Sequence, residues 1–232
     1  MDHFKGKSIP DHLIEARKKG AAASAEIHGT EASGWLFSFC DCLKEGVALF
    51  ILVYLLSGTT HLIPFGIGYL IFKVGRSARL GWARLERLHR LIREEKFEIE
   101  HHREQEREEL TAIYASKGFQ GKLLTDLIEV LMADDNRLLQ VMLEDELGLS
   151  LESYEHPLKQ AFGAFLGCLV AALFGYTALV AGGFLALCLT GLILTAVASI
   201  LTAQKENNDL IKATIWSLGI AFLSIGVVYF LP

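Results

Sequence analysis

Cysteine, proline and methionine are scarce in this 232-residue chain, with four, four and three copies. Cys40, Cys42, Cys168 and Cys188 lie in apolar stretches without the spacing of a secreted scaffold, so they read as small buried hydrophobes, not as a disulfide framework. A cationic excess is missing as well. With 22 Lys and Arg against 27 Asp and Glu, and the basic residues interleaved with Glu, no face is suited to releasing phosphate counterions, and nucleic acid is not expected as a partner. No GxxxxGKS or GxxxxGKT loop, GxSxG elbow or HExxH helix occurs, so an enzyme is not expected, nor a cofactor. The first thirty residues contain no compact apolar run with a small-residue cleavage site, and no signal peptide is expected.

What the chain has in quantity is apolar sequence, sharply segregated from charge. Hydrophobic residues make up 52% and charged ones 21%, with a mean hydropathy of +0.36. Charge concentrates between Arg76 and Lys159, while long Leu, Val, Ala, Phe and Gly runs occupy the flanks. About 20 apolar residues cross a bilayer. Spans are therefore expected near Trp35 to Ser57, His61 to Arg79, Leu158 to Val180, Gly182 to Ala203 and Leu210 to Leu231. The second is short and carries Lys73, so a buried helix running on into the charged region is its alternative.

The positive-inside bias orients these spans. Five crossings with the N-terminus inside put Arg17 to Lys19, the charged insert, Lys205 and Lys212 on the cytoplasmic side, and the opposite turns SGTTH and VAGG hold no Lys or Arg. The expected fold is an all-α, multi-pass integral membrane protein in contact with the lipid bilayer. It divides into a cytoplasmic segment 1–34, two membrane helices in 35–79, a cytoplasmic helical insert 80–157, and membrane helices three to five in 158–232.

Within the insert, the stretch from Arg76 to Ser116 has no Pro and is dense in good helix formers, which predicts one long helix stopped by Gly118. Two shorter amphipathic helices are predicted over Leu123 to Met132 and Asn136 to Leu147, the latter capped by Asp134 or Asp135 and ended by Gly148. On the long helix, Glu95, Glu98, His102, Glu106 and Glu109 recur at steps of three or four and share a face. His101 and His102 are adjacent and cannot both join it. The stripe is either a ligand row or a solvated face balanced by Arg93, Lys96, Arg103 and Arg107. Met142 and Glu146, at i and i+4, could face the stripe, and a thioether among carboxylates tilts a site toward first-row transition metals. The alternative for Met142 is core packing with Leu139 and Leu143.

EREELTAIYASKGF, Glu106 to Phe119, and MLEDELGL, Met142 to Leu149, resemble the Glu-rich blocks of the vacuolar iron transporter family. The resemblance runs from Trp35 to the C-terminus. It implies five membrane helices, a cytoplasmic metal-binding domain with ligands at Glu95, Glu98, Glu106, Glu109, Met142 and Glu146, and a homodimer. It also implies export of Fe(II), with Mn(II) as second cargo, from the cytoplasm by proton exchange. In FCDCLKEGVALF, Glu45-Gly46 is similar to the family's acid-Gly pair of the first membrane helix, with Asp41 one turn earlier as a second ion-path candidate. The second helix departs from the pattern: Phe65 stands near the usual Met, and Gly68 meets Tyr69 without the usual Glu between. The alternative for Asp41 and Glu45 is ion pairing with Lys44, Lys73 or Arg76, and the alternative for the whole chain is a membrane-anchored metal-binding or scaffold protein that has lost transport.

Overall fold

The computed structural model describes residues 34–149 and 156–230, with Ser8, Asp11, Ile14, Glu15, Arg17 and Lys18 before them. The expectations for segment 1–34 therefore fall almost wholly outside the described residues. The described chain is helical throughout, without a strand, and forms two compact units: Thr30–Trp82 with Glu155–Pro232, and Met1–Gly29 with Ala83–Tyr154.

In the first unit, α1 (Trp35–Ser57) ends at Gly58, whose φ of 62° leaves the helical region while its N–H still donates to the Tyr54 carbonyl. Helix α2 (Leu62–His101) begins here and its residues from Ala83 onward belong to the other unit, so the expected second span does continue as helix into the charged region. The apolar run Pro157–Glu206 opens with Pro157 in the first turn, where a missing N–H costs nothing, and the His156 ring accepts from the Leu158 N–H. At Gly183, φ 65° and ψ −154° break the run, a conformation that needs glycine, and the expected third and fourth spans lie on its two arms. We label these arms α6 (157–182) and α7 (184–206), and the last helix α8 (Leu210–Phe230), which Asp209 caps by accepting from the N–H groups of Ile211 and Lys212.

Two runs, Pro157–Glu206 and Leu210–Phe230, are long and apolar enough to cross a membrane on length and composition. Helix α1 carries Asp41, Lys44 and Glu45, and α2 carries Lys73 and Arg76 before entering the charged stretch, which dilutes the same signal there. Packing of α1 on α6 depends on small residues. Built onto Gly163, a Cβ would lie 2.1 Å from the Trp35 carbonyl oxygen, and on Gly167, 2.3 Å from that of Phe39. Gly163 and Gly167, spaced as GxxxG, thus join two helices of one chain.

The other unit holds the rest of α2, α3 (Arg103–Ser116), α4 (Gly121–Met132), α5 (Asp135–Val141) and a π-helical turn, Met142–Glu146. The single helix expected from Arg76 to Ser116 is instead broken at His102 (φ −130°, ψ 33°). Neighbouring His101, the last residue of α2, stacks on Phe97 at 4.1 Å, and its Nδ1 lies 2.9 Å from the Phe97 carbonyl oxygen. Asp134 caps α5 as expected, accepting from the Arg137 N–H, and Gly148 follows the π turn with φ 66°.

Candidate functional site

The Glu stripe is largely not a solvated face. Glu95 is 4% exposed, Glu106 1% and Glu109 0%, Glu98 is half-buried, and Glu146 is 3% exposed on the π turn. Burial comes from two apolar clusters that hold α2, α3 and the π turn together. One joins Leu88 and Leu91 to Leu143, Leu147 and Leu149. The other joins Ile99 and Leu110 to Leu138 and Met142. Because Ile99 stands four residues after Glu95 and Leu110 four after Glu106, each pair shares a helix face, and burying the apolar residues carries these glutamates inward with them.

The π turn decides which acids of MLEDEL point in. Its wider ladder, with the Leu147 N–H donating to the Met142 carbonyl, sets Met142 and Glu146 inside. Glu144 accepts from Gln140 Nε2 at the surface. Asp145 pairs with Lys117, whose ammonium also lies 4.6 Å from the Tyr114 ring centre. Burial and the hydrogen bond to Asp145 push the Tyr114 hydroxyl up to about 12. Of the cations expected to balance the stripe, Arg103 instead bonds Asp135 at 2.6 Å and the Met132 carbonyl, and Arg93 bonds the His89 carbonyl. His102, placed on the stripe by spacing, sits at the helix break and is half-buried. Met142 is fully buried in the cluster that Leu139 borders, whereas Leu143, the other neighbour in its core alternative, belongs to the first cluster.

Electrostatics ties the acids together. Glu95 titrates well above the usual glutamate range near 4.5, first because it is buried, then because Glu146, Glu106, Glu98 and Glu109 repel its charge. Its Oε1 is buried with no hydrogen-bond partner. A buried acid facing four others is stabilised either by a proton or by a cation. Among the described residues, however, no three His, Cys, Asp or Glu side chains are already set around a single point as metal ligands. Binding one ion among them would require side-chain rearrangement.

The sign of the pH effect follows from that raised pKa. In the unfolded chain Glu95 loses its proton near 4.5, and in the folded protein it does so at higher pH, so its contribution to stability is present at low pH and lost as pH rises through the folded value. Without metal, Glu95→Gln should therefore match the wild type near pH 4 and melt progressively higher than it as pH approaches about 7.5, by a few degrees. Thermal unfolding of the purified protein in chelator would show this. A difference between the two proteins that does not change with pH would contradict it.

In the other unit, each acid of α1 has a lysine. Asp41 pairs with Lys44 at 2.8 Å, and Glu45 Oε2 accepts from Lys73 Nζ at 2.8 Å and from the Tyr69 hydroxyl at 2.9 Å. Of the three candidate partners of these acids, Lys44 and Lys73 are thus both engaged. Spacing did not single out Tyr69. The signal was present, since Tyr69 and Lys73 are i and i+4 on α2 and share a face.

A family model described as the VIT family matches residues 83–231, well over half of the chain. The chain belongs to the VIT family. Members of the VIT family are membrane-integral transporters. The VIT match covers the carboxylate unit and every helix from Pro157 onward, and it leaves out α1 and the part of α2 that holds Tyr69 and Lys73. No curated protein and no solved structure matched the chain.

Proposed function

We propose that this VIT-family chain exports Fe(II), with Mn(II) as second cargo, from the cytoplasm in exchange for protons. The burial of Glu95, Glu106, Glu109 and Glu146 in one unit, beside Met142, carries the reading. Carboxylate oxygens with a thioether suit a ferrous ion better than Mg or Ca. In this reading Glu98 and His102 stand at the edge of the cluster and join as ligands when it closes. Five spans, a cytoplasmic N-terminus and insert, and a homodimer complete the proposal. Lys and Arg are absent from the two turns that would face away from the cytoplasm. Asp41 and Glu45 are the acids placed to receive ions in the membrane.

A second reading draws on a specific observation. The Lys73–Glu45 pair neutralises the membrane acid, and a neutralised site suits a membrane-anchored metal-binding protein that no longer transports. Ferrous uptake into proteoliposomes separates the two. Under the transport reading the wild type accumulates iron, and Asp41→Ala/Glu45→Ala lowers the flux by about tenfold or more while metal binding to the carboxylate unit persists. Absence of flux from a wild type that binds iron would favour the anchored binding protein.

A further inference from the structure

Lys73 is a buried lysine at the end of the apolar first stretch of α2, with 3% of its side chain exposed, whereas the Glu45 side chain it contacts is 50% exposed. A charge in such a place is costly unless it is paired, so the pair is a built feature of the α1–α2 contact. Both the ammonium and the Tyr69 hydroxyl bind the same carboxylate oxygen, Oε2. Tyr69 also packs against the buried cluster of Cys42, Ala164 and Cys168, and Ser38 and Ser77 bond each other at 3.0 Å across the same two helices. Past Glu45, the cavity of about 360 Å³ that Gly46 and Tyr69 line runs among Leu49, Phe50, Phe65 and Leu70, with no acid.

A divalent ion approaching Glu45 thus finds Oε2 already engaged by two donors, one of them an amine group that stays beside the carboxylate. We propose that Lys73 is a tethered cation that occupies the cation position of Glu45, so that a free divalent ion binds there only when Lys73 is displaced. The proposal rests on the reading of Glu45 as an ion-path acid and adds the residue that closes it. Lys73 sets selectivity by charge. At the dielectric of a protein, removing a like charge at this range favours a divalent ion by on the order of a hundredfold or more in affinity.

The test uses the full chain in detergent, carrying Glu106→Ala/Glu109→Ala to silence the carboxylate unit, with Co(II) as the probe in calorimetry. With Lys73 present, no Glu45-dependent binding is expected. Lys73→Met should create it, with affinity up by roughly a hundredfold, and Glu45→Gln added to that protein should remove it. Lys73→Arg, which keeps the charge, should stay closed. Lys73→Gln, which keeps an amide donor for Glu45, repeats the test should circular dichroism show that the methionine variant has lost helix. Glu45-dependent binding in the presence of Lys73, or none in a folded neutral variant, would overturn the proposal. Because the readout is binding and not flux, an absence of transport in proteoliposomes would sink the transport reading and leave this result intact.

Discussion

Glu106→Gln/Glu109→Gln protein is expected to bind Co(II) or Fe(II) about a hundredfold or more weakly than wild type, while melting at a higher temperature in chelator. The two residues lie three apart on α3, both buried and both within electrostatic reach of Glu95. Two anionic oxygen donors are lost, and losses even of outer partners of a metal site cost ten- to a hundredfold. The stability change has the opposite sign because glutamine keeps the shape of glutamate and removes two charges from a neighbourhood that repels charge. A role in packing alone predicts no loss of affinity. Equilibrium dialysis beside thermal unfolding reads both signs, and an unchanged metal affinity would remove these residues from the site.

Gly163→Ala should cost about 3 kcal/mol or more and leave little monodisperse protein, an effect disproportionate to one methyl group. The added carbon would stand 2.1 Å from the Trp35 carbonyl oxygen, so no rotamer change relieves the clash and the α1 and α6 backbones must separate. Gly167→Ala meets the Phe39 carbonyl at 2.3 Å and should behave alike. Gly66→Ala provides the control, since nothing lies within 4 Å of a Cβ there and helix propensity favours alanine. Size-exclusion profiles of the three proteins in detergent measure this. A monodisperse Gly163→Ala protein with wild-type unfolding would mean that α1 and α6 are not in backbone contact.

The helices were legible wherever composition and punctuation agreed. The stretch Trp35 to Ser57 is expected and observed with the same bounds, because a run that is apolar apart from Asp41, Lys44 and Glu45 meets Gly58. Asp134 and Gly148 act as predicted, since caps and left-handed turns depend on a few adjacent residues. The break at His102 was not legible. Good helix formers surround it, and no Gly or Pro marks the position. The π turn was equally hidden, because MLEDEL suits an α-helix as well.

Sequence by itself determined the segregation of apolar and charged stretches, the helical class, and the row of acids at Glu95, Glu98, Glu106 and Glu109, since periodicity and composition are local properties. Whether that row faces water or a core was a tertiary decision. Glu95, Glu106 and Glu109 are buried because Ile99, Leu110, Leu138 and Met142 collapse together, and hydrophobic association between distant segments leaves no mark on spacing within one helix. The partner of Glu45 was decided in the same way. Lys44, Lys73 and Arg76 were all close enough in sequence terms, and only the approach of α2 to α1 sets Lys73 and Tyr69 on one carboxylate oxygen.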